Sequence, residues 1–178
     1  MQPNIIAGKY RGKKIVVPES EGLRPTPSRV RETLFNWLQT DIVDVSTLDL
    51  FAGSGLLSFE ALSRGAKQST LLEKNKKVFD LLKKNAAFLK NENINFHLTD
   101  AVQFIKHHAL HEYQLIFIDP PFHSNLHNEI LNALCTRLAK NTIVYIESPM
   151  QIDVLPFPAI QFKQKKIGQV FFSLFRII

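Results

Sequence analysis

The sequence Asp119-Pro120-Pro121-Phe122 follows an apolar run that begins at Leu115. Proline donates no backbone hydrogen bond and cannot continue a central strand, so a strand must end here. The Asp119 carboxylate and the Pro120 carbonyl oxygen can then each accept one hydrogen of an NH₂ group, and Pro121 brings no competing N–H donor. Phe122 can stack on a base that is turned out of a nucleic acid. The turn therefore predicts chemistry on a planar amine.

A second candidate site is the glycine turn in LDLFAGSGLLS, where Gly53 and Gly55 let the backbone approach a ligand at the start of a helix. The third glycine of the pyrophosphate-binding fingerprint is absent, and Ser58 stands in its place. We expect Asp49 inside this turn, where its charge would repel a pyrophosphate. An acid suits S-adenosylmethionine, which carries an ammonium and a sulfonium and no phosphate. The alternative is that Asp49 only caps a turn.

Acidic residues end four successive predicted strands, and ligands bind at this edge of open α/β sheets. Glu73 comes about 20 residues after the glycine turn, where an acid can accept hydrogen bonds from ribose hydroxyls. Asp100 is expected beside the adenine, although each acid taken singly could be a helix cap. The predicted cofactor-binding residues in this part of the chain are Asp49, Phe51, Ala52, Gly53, Ser54, Gly55, Glu73, Lys74, Asp100 and Ala101.

The elements that position these residues alternate as short apolar runs and helical patterns from Thr47 onward. This alternation predicts βαβ units and a mostly parallel sheet with helices on both faces. Parallel strands are predicted at 47–51, 69–73, 94–100, 113–119 and 142–147, with helices at 56–64, 76–89, 102–107 and 126–138. Only Ile167 and Gly168 separate the last two apolar runs, so these form an antiparallel hairpin at one side of the sheet.

Residues 1–40 are predicted as a basic extension of the sheet domain, which spans residues 41–178. Two short strands about a Gly/Lys turn precede a helix, for which Thr26 is the predicted N-cap and Pro27 the first helical residue. Residues 1–31 hold seven basic and two acidic residues, which gives +5 of the net charge of +6. Such a segment predicts a nucleic-acid partner, and the alternative is a solvated arm. The predicted RNA-binding residues are Lys9, Arg11, Lys13 and Lys14.

Composition excludes several classes of site. The 178 residues include one cysteine, Cys135, so an intramolecular disulfide or a cysteine metal cluster is excluded and a reducing, cytoplasmic setting is expected. No stretch resembles a signal peptide or a membrane span, which predicts a protein that is neither exported nor inserted. His123 and His127 lie four apart but lack a third ligand, so no metal is predicted.

The sequences LDLFAGSG and IDPPF together resemble class I S-adenosylmethionine-dependent methyltransferases that act on an amino group. The segments GLRPTPSRVRETLFNWL and FKQKKIGQVFFSLF are similar to the ribosomal RNA small subunit methyltransferase D family, which methylates guanine N2 in 16S RNA. The resemblance covers essentially the whole chain and implies a monomer with a Rossmann-like fold, acting on 16S RNA in the assembled or assembling small subunit. It also implies that Arg24, Thr26 and Arg31 close over the cofactor.

Three other functions remain open from the residues alone. Another amino methyltransferase, acting on adenine N6 of DNA or glutamine N5 of a protein, would use similar chemistry, but most of these enzymes carry Asn where Asp119 stands. A nicotinamide oxidoreductase would need a pyrophosphate loop, which Asp49 disfavours. A non-catalytic RNA-binding module could retain the same fold.

Overall fold

The computed structural model describes residues 2–17, 26–121 and 126–178. Seven strands form one sheet in the order β3-β2-β1-β4-β5-β7-β6. The first five strands are parallel, and β7 is antiparallel to both of its neighbours. The prediction of a mostly parallel sheet closed by a C-terminal hairpin is confirmed. The strands are β1 Ser46–Asp49, β2 Gln68–Glu73, β3 Asn93–Leu98, β4 Leu115–Ile118, β5 Ile143–Ser148, β6 Ala159–Ile167 and β7 Val170–Ile177.

The register of the central strands determines which residues leave the sheet together. Asp49, the last residue of β1, pairs with Phe117 of β4. Ile118 of β4 pairs with Ile146 of β5. Asp119, which follows β4, and Glu147, which follows Ile146 in β5, are both acids, and both side chains emerge at the carboxyl edge of the sheet.

Helices cover both faces of the sheet, as predicted. Helices α1 Ser28–Trp37, α2 Leu56–Ser63 and α3 Lys76–Asn85 bury apolar side chains in the core on one face. Helices α4 Ala101–His107 and α5 Leu126–Leu134 do so on the other face. In α1, Leu34 and Phe35 are fully buried, and burying each such side chain contributes roughly 1.5–3 kcal/mol. Trp37 stacks on Phe172 of β7, with ring centroids 5.2 Å apart, so α1 packs on the sheet.

The start of α1 differs from the prediction. Pro27 occupies the N-cap position, and no side chain of the described residues caps the helix through a hydrogen bond. Thr26 lies one residue earlier, and its hydroxyl instead donates to Asp119 across the sheet edge. Thr26 therefore links the start of α1 to the end of β4 and does not cap the helix.

In the described part of the N-terminal extension, one antiparallel bridge, between Asn4 and Lys14, replaces the two predicted strands. Its backbone donors bind α2 instead: the amides of Ile6 and Ala7 donate to the Glu60 carboxylate at 2.7 and 3.1 Å. Gly8 has φ of +80°, and a Cβ at this position would lie 1.8 Å from the Ser63 carbonyl oxygen of α2. The extension therefore adheres to the domain through a turn that only glycine allows.

Candidate active site

The Asp119 turn lies directly after β4, at the carboxyl edge of the sheet. The Asp119 carboxyl is partly buried, and the Thr26 hydroxyl donates to its Oδ2 atom at 3.1 Å. Pro120 is buried and Pro121 is exposed. Phe122, the predicted stacking residue, lies outside the described residues, as does His123.

A second carboxyl group, Glu147 at the end of β5, faces this turn and was not predicted from the sequence. It is 3% exposed, and the buried Tyr145 hydroxyl donates to its Oε2 atom at 2.8 Å. Thr26 interacts with Glu147 as well as with Asp119. The signal for Glu147 was present in the sequence, because it is an acid at the end of a predicted strand, like the four acids that were identified.

Burial shifts both carboxyl groups toward the protonated form. Desolvation, then the charge of Glu147, raises the pKa of Asp119 well above its usual value, and the Thr26 hydrogen bond opposes this shift. Desolvation raises the pKa of Glu147 to about 7, against the hydrogen bonds from Tyr145 and Thr26. Because the charge of Glu147 acts on Asp119, the two carboxyl groups titrate as a pair, with apparent pKa values that belong to the pair.

Asp49 is the last residue of β1, so it lies before the glycine turn in the chain. The prediction that Asp49 lies inside the turn is wrong. The carboxyl group is 1% exposed and accepts from the Ser58 hydroxyl at 2.8 Å and the Phe51 amide at 3.3 Å. Desolvation raises the pKa of Asp49 to about 7, with a smaller contribution from Glu73. The serine that replaces the third glycine of the fingerprint thus orients this acid.

The two glycines of the turn have different physical roles. Gly53 has φ of +53°, and among the described residues a Cβ here would approach only the Phe51 carbonyl oxygen, at 3.9 Å, which leaves room there for a ligand. Gly55 has φ of +91°, and its Cβ would lie 2.3 Å from the Phe59 ring. Gly55 therefore serves close packing of the turn on α2, whereas Gly53 leaves room for a ligand.

Glu73 and Asp100 end the next two strand regions and organise the backbone that follows them. The Asn75 amide donates to Glu73 Oε1 at 2.7 Å. Asp100 caps α4 through its Oδ1 atom, which accepts from the Val102 and Gln103 amides at 2.9 and 3.3 Å. Within the described residues each carboxylate uses one oxygen in this way, which leaves the other as an acceptor for a ligand. The neighbouring Lys74 is exposed and Ala101 is buried.

The structure contradicts the expectation that Arg31 closes over the cofactor. Its side chain is fully buried and pairs with Glu60 of α2 at 3.5 Å. It also donates to the Asn4 carbonyl oxygen at 3.0 Å and to the Ser28 hydroxyl at 3.3 Å. Desolvation lowers the pKa of Arg31, and the charge of Glu60 opposes this effect. Arg31 therefore connects α1 and the segment around Asn4 to α2. Arg24, the other arginine expected at the cofactor, lies outside the described residues.

The four predicted RNA-binding residues lie together on the extension. Arg11, Lys13 and Lys14 are exposed. Lys9 differs, because its Nζ atom lies 2.7 Å from Glu92, and this hydrogen bond raises the pKa of Lys9. RNA must compete with Glu92 for Lys9, but it can approach the other three side chains directly.

The acids at this edge suit a cationic ligand. In the described part of the chain, no lysine or arginine pairs with Asp49, Glu73, Asp119 or Glu147. No cluster of three metal-ligating side chains occurs within the described ranges, and no helix in them is long and apolar enough to cross a membrane. The open space at Gly53 and the adjacent acids fit a ligand with an ammonium and a sulfonium.

Comparisons with known proteins identify the family of the chain. The family model for conserved hypothetical protein 95 matches residues 3–176. A protein of Escherichia coli (strain K12), named ribosomal RNA small subunit methyltransferase D, is 42% identical over 179 residues, which cover 98% of this chain and 90% of that protein. A Haemophilus influenzae protein of the same name is 42% identical over 178 residues, covering 97% and 92%.

A solved structure from Escherichia coli, described as a candidate methyltransferase, has the same fold. It matches with a TM-score of 0.88 and 39% identity, covering 99% of this chain and 98% of that one. The family and the Rossmann-like methyltransferase fold that the sequence motifs predicted are both confirmed.

Proposed function

Because the chain belongs to the family of conserved hypothetical protein 95 and the ribosomal RNA small subunit methyltransferases D, we propose that it methylates the exocyclic N2 of a guanine in 16S ribosomal RNA. S-adenosylmethionine is the proposed methyl donor. The observation that carries the proposal is the pair of acceptors, Asp119 and Pro120, beside an acid-lined glycine turn at one edge of the sheet.

The residues around the glycine turn are the proposed cofactor site. The Asp49 carboxylate would hold the ammonium group, Glu73 the ribose hydroxyls, and Asp100 the adenine, with the backbone at Gly53 against the ligand. When bound, S-adenosylmethionine supplies an electrophilic methyl group on a positively charged sulfur. That charge favours the ionised forms of the nearby carboxyl groups, which burial alone disfavours.

Asp119 and Pro120 activate the amine. The lone pair of a guanine amine is delocalised into the ring, so the nitrogen is a poor nucleophile while it stays planar. When the Asp119 carboxylate and the Pro120 carbonyl oxygen each accept one N–H, the nitrogen can become pyramidal and direct its lone pair at the methyl group. The raised pKa of Asp119 also makes it a better acceptor for the proton that the nitrogen loses after transfer.

Guanine is favoured over adenine by the charge of the turn. Guanine presents N1–H beside its amine, and a carboxylate can accept that second donor. Adenine presents an acceptor at the corresponding position, which Asp119 would repel. The other amino methyltransferases considered above are therefore the second candidate, below guanine N2.

The extension, residues 1–40, is the proposed RNA-binding part, and residues 41–178 are the proposed methyltransferase domain. The exposed Arg11, Lys13 and Lys14 would contact phosphates, and Phe122 would stack on the extruded base.

Replacing the target guanosine by inosine tests this proposal, because inosine lacks only the 2-amino group. Mapping labelled methyl groups in RNA from a strain that lacks the protein identifies the target nucleotide first. With purified protein and labelled S-adenosylmethionine, we expect transfer to the guanosine RNA and none to the inosine RNA, while both RNAs bind equally. Transfer to inosine at that position would rule out N2 as the acceptor.

A further inference from the structure

Glu147 is a buried acid that the proposed chemistry does not use. Its side chain leaves β5 next to Asp119, because Ile146 pairs with Ile118 in the preceding register position. It is 3% exposed, and in the described part of the chain no lysine or arginine neutralises it. A buried acid without a cation is costly unless it is protonated or shares a proton.

The hydroxyl groups around Glu147 define a directed chain of hydrogen bonds. Tyr145 donates to Glu147 at 2.8 Å, and Thr26 donates to Asp119 at 3.1 Å. Thr26 also interacts with Glu147, but its hydroxyl has only one proton to donate. If Glu147 carries a proton, it can donate that proton to the Thr26 oxygen, and the Thr26 proton is then committed to Asp119.

We propose that Glu147 is a positioning residue for methyl transfer, which shares one proton with Asp119 across the Thr26 hydroxyl and so fixes the carboxylate that meets the substrate amine. This inference rests on the proposed function of Asp119. With one proton for two carboxyl groups, the pair carries a single negative charge. The substrate amine donates to Asp119 and stabilises the anion there, which leaves the proton on Glu147.

The consequence for Asp119 is geometric. Its Oδ2 atom is held by Thr26, so Oδ1 is the atom presented to the amine. When Glu147 loses its proton, it competes for the Thr26 hydroxyl, Oδ2 is released, and the carboxylate can rotate. The ionised form of Glu147 therefore supports slower transfer than the protonated form.

Other titratable groups lie near Glu147 and bear on this pH dependence. Tyr145 lies on the same strand, and Asp119 follows the neighbouring strand. His127 of α5 contacts the Glu147 backbone carbonyl oxygen at 2.8 Å, away from the carboxyl group. The β7 residue paired with Glu147 is Phe172, which does not titrate. Asp49 acts on Asp119 from β1.

The first test compares Glu147→Gln with Glu147→Ala in single-turnover methyl transfer between pH 6 and 8.5. A glutamine amide can donate to Thr26 and accept from Tyr145, so it imitates the protonated acid at every pH. We expect Glu147→Gln to exceed Glu147→Ala by at least about tenfold in rate, and to lack the decline that we expect of the wild type as pH rises through neutrality. Equal rates for the two variants, or a decline that persists in Glu147→Gln, would overturn the proposal.

Substitutions at Tyr145 and Thr26 should change the rate in a defined direction. Tyr145→Phe removes a donor that stabilises the Glu147 anion, so the decline in rate should move to higher pH. Thr26→Val removes the hydroxyl that links the two acids and should slow methyl transfer. Thr26→Ser keeps the hydroxyl and should transfer the methyl group at nearly the wild-type rate. Binding of S-adenosylmethionine, measured by calorimetry, should change little in the Glu147 and Tyr145 variants, and each variant is checked by thermal unfolding.

A second measurement does not depend on methyl transfer, and so separates this inference from the proposed function. Carbon-detected NMR follows the Asp119 carboxyl titration in the free protein. We expect Glu147→Gln to lower the apparent pKa of Asp119 by about one unit or more, because a strongly interacting acid has been removed. An unchanged Asp119 titration would show that the two acids share no proton, whatever reaction the protein catalyses.

Discussion

Asp119 is the residue on which the proposed chemistry depends most directly. Asp119→Ala should lower turnover by about two orders of magnitude or more, because it removes a preorganised group that acts in the transition state. The cofactor acids are unchanged, so the affinity for S-adenosylmethionine should stay near normal. Single-turnover transfer and calorimetry measure the two effects, with Asp119→Asn as the control that keeps the shape but not the charge. Full turnover in Asp119→Ala would show that the amine is activated in another way.

Asp49 should make both stability and cofactor affinity depend on pH. Its pKa is about 7 in the folded protein, against 3.8 as the ordinary value. The folded state therefore holds a proton that the unfolded state loses, so the free energy of unfolding falls as pH rises from about 4 to 7, by up to roughly 4 kcal/mol. The Asp49→Asn variant should lose this part of the slope in urea unfolding.

The cofactor reverses the preference of Asp49. A bound ammonium favours the ionised carboxylate, so the affinity for S-adenosylmethionine should rise between pH 5.5 and 7.5 as the proton to be displaced is lost. Calorimetry in buffers with different ionisation enthalpies detects the proton released on binding. Affinity that is flat across this range would place the ammonium elsewhere.

Among the structural elements, α2 carries the contacts that fix the extension. Glu60 is fully buried, pairs with Arg31 and Arg64, and accepts two backbone amides of the extension. Glu60→Ala leaves Arg31 buried without its acid, which should cost about 3–5 kcal/mol. Thermal unfolding measures this loss, and trypsin should cleave the basic residues 9–14 faster. Asp80→Ala removes the acid of an exposed pair on α3 and should cost at most about 1 kcal/mol. Wild-type trypsin resistance in Glu60→Ala would show that the extension is held elsewhere.

The sheet was predictable because each central strand is a short apolar run bounded by turn residues, as in residues 115–118. The extension was not, since its partners lie far away in sequence: Ile6 bonds to Glu60, 54 residues later. Arg31 was misassigned for the same reason, because charge alone does not reveal a buried acid on another helix. Glu147 is an acid at the end of the predicted strand 142–147 and could have been identified, but the apolar run before it does not show that its side chain faces Asp119.

For the whole molecule, the basic extension predicts RNA binding that depends on salt. Replacing Arg11, Lys13 and Lys14 by Gln should weaken RNA binding and reduce the slope against salt by about 0.7–0.9 for each phosphate that the variant no longer neutralises. Lys9→Gln should reduce the slope less, because Glu92 already holds Lys9. Fluorescence anisotropy at several salt concentrations measures the slopes.

Gln substitutions at the exposed Lys106 and Lys140, away from the extension, are the control for the loss of positive charge alone. They should leave the slope unchanged. If the extension variant and the control gave the same slope as the wild type, the extension would be a solvated arm.

The contacts of the extension also determine the order in which the protein becomes organised during synthesis. Residues 4–16 leave the ribosome before their partners, which extend to Asn85 and Glu92. At 5–20 residues per second, the extension waits about 4–15 s before those partners are made. Until then Ile5 and Ile15, which are fully buried in the folded protein, stay exposed to water and to nascent-chain chaperones. Residues 4–16 therefore stay without these contacts until Glu92 has been made, and a pause in translation before that point would lengthen their exposure.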